Sequence, residues 1–234
     1  MKSKLIVALD VDGYAPAVAL IEDLLGAVGI FKVGSQLFTR VGPKIVEYIH
    51  ERGGHCFLDL KFHDIPNTVA KAVESAAALR VSWLTIHASG GAEMLKAAAT
   101  PIPHRPRLLG VTVLTSVGGV VGNEVVRLAR LCRECGLDGV VASAQELALI
   151  REAVGKELLI VTPGIRPVWS ETGDQKRITT PAQAVAAGAD YLVVGRPIVA
   201  AADPRAAALR ITEEMAGAVR RPEVSGPRTE GRGR

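Results

Sequence analysis

Aromatic side chains are scarce: Phe, Trp and Tyr make up 4% of the 234 residues. A core without many large rings must be filled by Ala, Val, Leu and Ile, which suits helices packed closely on a parallel sheet. Cysteine is nearly absent as well, with Cys56, Cys132 and Cys135 the only three. That number does not suggest a disulfide framework and fits a reducing cytoplasm. Cys132 and Cys135 form a C-x-x-C, but no second pair or His cluster completes a zinc set, so both read as ordinary helix residues. No apolar run reaches the roughly 18 residues of a membrane span, and no signal-peptide pattern is present. The expectation is a cytoplasmic protein with no membrane partner.

Excess charge is also missing from most of the chain. The net charge is +4, but residues 220–234 (RRPEVSGPRTEGRGR) hold five Arg and two Glu and so account for +3 of it. The body is close to neutral, which removes the main support for a nucleic-acid partner. The tail is rich in Pro, Gly and Arg and has almost nothing apolar to bury. It is expected to be a disordered extension (220–234) after a single domain (1–219).

Hydrophobic residues are plentiful, at 48% of the chain. Short β-branched runs recur with helical patterns between them. They are LIVALDV (5–11), IFKVGS (30–35), HCFLDLK (55–61), WLTIHAS (83–89), LLGVTVLT (108–115), GVVAS (139–143), LLIVTPG (158–164) and YLVVGR (191–196). Their near-continuous apolar character marks buried parallel strands. Between the first two, Val18, Ile21, Leu24, Leu25 and Val28 recur at helical spacing. Gly53-Gly54, Gly136 and Gly188 stand where helices should end. Eight strand–helix repeats without linkers predict an α/β fold, a (β/α)8 TIM barrel in one domain. A doubly wound open sheet is the alternative, but no G-x-G-x-x-G follows the first strand.

Polar residues gather at the C-terminal ends of these runs: Asp10, Lys32, Asp59 with Lys61, His87, Thr115, and Gly195 with Arg196. In a barrel that end is the active-site face. Alternation along the third strand puts Phe57, Asp59 and Lys61 on one face and Leu58, Leu60 and Phe62 on the other. Asp59 and Lys61 would then point into the barrel mouth, roughly 7 Å apart along the strand. The same count aligns Asp10 with Ile6 and Ala8, and Lys32 with Ile30 and Gly34. Acids and bases alternating around one cavity offset each other's desolvation. The plainer alternative is a stabilising ion pair at a strand end, which the strand-end position argues against. Asp64 falls past the strand, just before a helix start at Pro66-Asn67.

A phosphate site is expected after the seventh and eighth strands, where TPGIRP (162–167) and VGRPI (194–198) supply Gly195, Arg196 and Arg166. The polar stretch 166–179 (RPVWSETGDQKRIT) has the length of an active-site lid.

These motifs resemble, in order, those of the orotidine 5′-phosphate decarboxylases. The similarity runs over residues 4–217. It is carried by ALDV with Asp10, FKVG with Lys32, DLKFHDIPNTV at 59–69, VLTS with Thr115, TPGIRP with Arg166 and VGRPI with Gly195 and Arg196. The D-x-K-x-x-D run is shared with related sugar-phosphate decarboxylases, and IPNT and TPGIR narrow it to the orotidylate branch.

The resemblance implies decarboxylation of orotidine 5′-monophosphate to UMP by a homodimer of barrels with shared active sites, using no metal and no cofactor. It implies that Asp10 binds the ribose and that Lys32 holds the ribose and the charge array. Asp59 would face the substrate carboxylate, and Lys61 would donate the proton. Asp64, with Ile65 and Thr68, would reach into the partner's site. Thr115, or the adjacent Ser116, would contact the pyrimidine, while Gln175, Arg166, Gly195 and Arg196 would gather the phosphate. One departure from the family pattern is the connection VGGVVGNEVV (117–126), short and apolar beside the loop expected there. Two rival readings remain: a metal-dependent sugar-phosphate decarboxylase of the same superfamily, and a non-catalytic nucleotide-binding barrel.

Overall fold

The structure is a computed structural model that describes residues 4–114, 122–170 and 179–219. Thr115, Ser116, Gln175 and the 220–234 tail lie outside the described residues.

Eight parallel strands pair in sequence order and close on themselves. They are β1 (Leu5–Ala8), β2 (Ile30–Gly34), β3 (His55–Phe62), β4 (Trp83–His87), β5 (Arg107–Val111), β6 (Gly139–Val141), β7 (Leu159–Thr162) and β8 (Tyr191–Val194). Pairing of Leu5 with Leu192 joins the first strand to the last and rules out the open sheet.

The helices that alternate with the strands are α1 (Tyr14–Leu24), α2 (Ser35–Val41), α3 (Lys44–Glu51), α4 (Pro66–Ala78) and α5 (Gly91–Ala98). They continue with α6 (Gly122–Glu134), α7 (Leu147–Val154), α8 (Pro181–Ala186), α9 (Arg196–Val199) and α10 (Pro204–Val219). Pro66 opens α4 at its first turn, where its missing N–H removes no helical bond. Gly136 (φ 80°) and Gly188 (φ 107°) follow α6 and α8 in the left-handed region that ends a helix.

Two hydrophobic layers follow from the strand period of two. Ile6, Ala8, Ile30, Phe57, Trp83, Leu109, Val161 and Val193 point inward and fill the barrel. Their neighbours, such as Leu5, Val7, Phe31, Val33, Leu58 and Leu84, point outward and pack under the helices. A few of the rare aromatics occupy the barrel floor. Trp83 meets Tyr191 edge-on at 4.6 Å and Phe57 at 5.9 Å between ring centroids.

Several expectations need correction. Three strands stop before the polar residues assigned to their ends, β1 at Ala8, β5 at Val111 and β8 at Val194, whereas Lys32, Asp59, Lys61 and His87 lie within β2, β3 and β4. Asp10 and Gly195 therefore sit past the strand ends and Arg196 opens α9, and all three still line the space above the barrel. In α1 the buried positions are Ala17, Ile21 and Leu24. The helix ends at Leu24, so Val28 belongs to the following turn, and Val18 sits at the edge of the face. Part of the connection 117–126 is helical, since α6 begins at Gly122. Cys132 lies in α6 and Cys135 one residue beyond it; both are buried, and burial pushes the Cys132 thiol up to about 12.

Candidate active site

A cavity of 340 Å³ opens at the C-terminal end of the barrel. Asp10, Lys32, Asp59, Lys61, Arg166, Gly195 and Arg196 all line it, so seven of the expected site residues converge on one space.

Strand register sets their order. Ala8 pairs with Lys32, Lys32 with Phe57, and Gly34 with Asp59, so the inward side chains climb from an apolar layer into a charged one. Lys32 Nζ lies 3.2 Å from Asp10 Oδ1 and 3.5 Å from Asp59 Oδ2. Lys61 Nζ lies 2.8 Å from Asp59 Oδ1. The result is an unbroken chain, Asp10–Lys32–Asp59–Lys61, of alternating sign. A Cβ on Gly34 would come within 3.2 Å of Lys32 Nζ, so the absence of a side chain there gives the ammonium its place.

Asp59 is largely enclosed, with 13% of its side chain exposed. Burial raises its carboxyl pKa, but the Lys32 and Lys61 ammoniums and the hydrogen bonds from Lys61 and Thr85 outweigh that, and the net shift is downward. Asp59 is thereby held ionised between two cations.

Lys61 reaches this arrangement by a route that plain alternation misses. Its backbone is left-handed, with φ 52°, and the pairing of β3 with β4 slips between Leu58 and Phe62. For a residue with a Cβ, that conformation costs on the order of 1–2 kcal/mol. The expectation that Lys61 enters the mouth holds, but a bulge aims it. Leu60 and Phe62 pack against the outer core as expected.

Thr85, in the middle of β4 and 1% exposed, was not among the expected site residues. Its hydroxyl accepts the Lys61 N–H at 2.9 Å and donates to Asp59 Oδ1 at 2.9 Å. The one available signal was a hydroxyl in the middle of the strand WLTIH, between Leu84 and Ile86. The His63 and His87 rings meet at a tilt of 39°, with ring centroids 5.4 Å apart. Burial, then His63 and Lys61, lower the His87 pKa, with Asp59 opposing.

On the other side of the ring, Arg166 is buried at the foot of the cavity wall. Its N–H donates to Thr179 O at 3.0 Å, and Ile165 bridges Thr179. The two ends of the 166–179 stretch are thus tied together, while 171–178 lie outside the described residues. Gly195 caps α9, and Arg196 is its first residue.

Asp64, Ile65 and Thr68 do not line this cavity. They are exposed at the start of α4, and Asp64 Oδ1 accepts the Ile65 N–H at 2.7 Å. Ile65 is 65% exposed, unusually open for a large apolar side chain. Other acids have structural work: Asp138 takes both Arg105 and the Leu108 N–H, and Asp190 pairs with Arg151 and accepts the Ile160 N–H. Both lie just ahead of strands, at the barrel end opposite the cavity.

Comparison with known proteins agrees with the sequence motifs. The sequence model of the Orotidine 5'-phosphate decarboxylase / HUMPS family matches residues 3–211. The orotidine 5'-phosphate decarboxylase of Syntrophotalea carbinolica is 52% identical over 236 residues, covering 93% of this chain and 97% of that protein. That of Syntrophomonas wolfei is 49% identical over 234 residues, covering 92% and 98%. The crystal structure of orotidine 5'-phosphate decarboxylase from Lactobacillus acidophilus superposes with a TM-score of 0.78 at 37% identity. It covers 92% of this chain and 99% of that one.

Proposed function

The chain belongs to the Orotidine 5'-phosphate decarboxylase / HUMPS family, and from that premise we propose how its residues convert orotidine 5'-monophosphate to UMP. The enzyme is a carboxy-lyase of pyrimidine nucleotide biosynthesis. The observation that carries the mechanism is the chain Asp10–Lys32–Asp59–Lys61 inside a cavity whose opposite wall holds Arg166 and Arg196.

Loss of CO2 from C6 leaves an electron pair on a vinyl carbon with no ordinary sink. The Lys61 ammonium stabilises that charge and delivers a proton to C6, leaving a neutral amine that regains its proton from solvent. Asp59 holds the Lys61 ammonium in place and faces the departing carboxylate. Lys32 bridges Asp59 to Asp10, which binds the ribose. Arg166, Gly195 and Arg196 take the phosphate, together with Gln175. Thr115 contacts the pyrimidine. The phosphate is remote from the bond that breaks, so its binding energy serves closure of the 166–179 stretch and transition-state stabilisation. No metal or cofactor enters these steps.

The working unit is a cytoplasmic homodimer with shared active sites. The exposed Asp64, Ile65 and Thr68 support this, because they stay out of the cavity lining of their own chain and present an apolar and an acidic side chain to the surface. Asp64 then reaches the partner's Lys61 array. Among the described residues, no helix is long and apolar enough to cross a membrane.

The test is the fall in orotidylate absorbance on adding enzyme, with and without EDTA. Turnover unaffected by EDTA is expected. Loss of activity with EDTA would favour a metal-dependent sugar-phosphate decarboxylase, and UMP binding without turnover would favour a non-catalytic barrel.

A further inference from the structure

We propose that Thr85 is a positioning residue for decarboxylation, its one hydroxyl setting the backbone of Lys61 and the carboxylate of Asp59 together. The inference rests on the reading of Lys61 as the proton donor.

The break in the β3–β4 ladder gives Thr85 its task. Leu58 pairs with Leu84 and Phe62 with Ile86, so four steps along β3 are matched by two along β4. Thr85 is the residue between Leu84 and Ile86, facing the bulge. A bulged residue loses its regular ladder bond. Here the Lys61 N–H is taken instead by the Thr85 hydroxyl at 2.9 Å.

The direction of these bonds is forced. An amide N–H can only donate, so the Thr85 oxygen accepts from Lys61. The single hydroxyl proton is left for Asp59 Oδ1, at 2.9 Å. That is the same oxygen that Lys61 Nζ approaches at 2.8 Å. Backbone, hydroxyl, carboxylate and ammonium of residues 61, 85, 59 and 61 therefore close a ring. Rotating Asp59 or relaxing the left-handed turn at Lys61 would break a bond to Thr85. Because Thr85 is 1% exposed, water is poorly placed to replace it.

The competing explanation is that Thr85 is a β-branched strand residue chosen for packing. Valine, of nearly the same shape, separates the two. Thr85→Val and Thr85→Ser would be assayed for kcat and KM on orotidine 5'-monophosphate, with UMP affinity measured by calorimetry. UMP has no C6 carboxylate, so its binding reports the rest of the site.

The expected result is a fall in kcat of about 100-fold for Thr85→Val, as for a misplaced reacting group. UMP affinity should stay within about threefold, and Thr85→Ser should keep most of the wild-type kcat. Thr85→Ala carries the same expectation as valine and decides the matter if the valine variant does not fold. Wild-type kcat in the variants lacking the hydroxyl, or a serine variant as slow as valine, would overturn the proposal. Wild-type protein that leaves orotidine 5'-monophosphate intact would overturn the decarboxylase reading itself, and the role of Thr85 with it.

Discussion

Lys61 Nζ lies 2.8 Å from Asp59 Oδ1, although the two residues are only two apart on one strand and the backbone between them leaves the regular pleat. In an unbroken strand the two side chains would stand parallel. The left-handed turn at Lys61 instead places the ammonium against the carboxylate. The second oxygen of Asp59 faces Lys32 at 3.5 Å, so one acid holds two cations in fixed places.

Lys61→Ala should therefore fold and bind UMP while losing nearly all turnover. A loss of at least about 10³-fold in kcat is expected for removal of a proton donor that also stabilises charge. The orotidylate absorbance assay measures it, and a variant near wild-type rate would remove Lys61 from its role.

Asp59→Asn should destabilise the protein as well as slow it. It leaves Lys32 and Lys61 facing each other without their shared acid, at a cost of about 2 kcal/mol for a pair that opens onto solvent. The effect should depend on pH with a definite sign. The folded-state pKa of Asp59 lies below its ordinary value, so its contribution is complete above that value and is lost as pH falls through the lowered one. The stability gap between wild type and variant, from urea unfolding, should be widest near neutrality and shrink in acid.

His87 should add to acid sensitivity at higher pH. Its pKa is lowered by burial and by His63, so the folded state disfavours its charged form. Stability should begin to fall as pH drops below the ordinary histidine value of about 6.5. His87→Asn should flatten the thermal-melt profile in that window.

Arg196→Ala should raise KM for orotidine 5'-monophosphate and spare kcat comparatively. With a substrate truncated at the phosphate, added phosphite should accelerate wild type more than the variant, because the grip on the free anion is weakened. Equal activation of both would remove Arg196 from the phosphate site.

Asp64→Ala and Lys61→Ala proteins, each nearly inactive alone, should recover activity when their subunits exchange. A hybrid dimer carries both changes in one site and neither in the other, so about a quarter of wild-type activity is expected from an equal mixture of exchanging C2 dimers. No recovery, with exchange verified by native mass spectrometry, would keep Asp64 out of the partner's site.

The sequence by itself determined the barrel and most of the charge array. Eight apolar runs with helical spacers reveal their period locally. The inward parity of Lys32 and Asp59 follows from counting along single strands, and Asp10 continues the count just past the end of β1, which is why these residues are legible in the sequence. Tertiary structure alone decided how Lys61 is aimed, why Gly34 has no side chain, and that Thr85 ties Lys61 to Asp59. Each of these depends on register between strands, and a slip such as the one between β3 and β4 leaves no local period to read. The same holds for Asp64. That it stays out of the cavity lining of its own chain depends on the course of the loop after β3, and the D-x-K-x-x-D spacing carries no record of that.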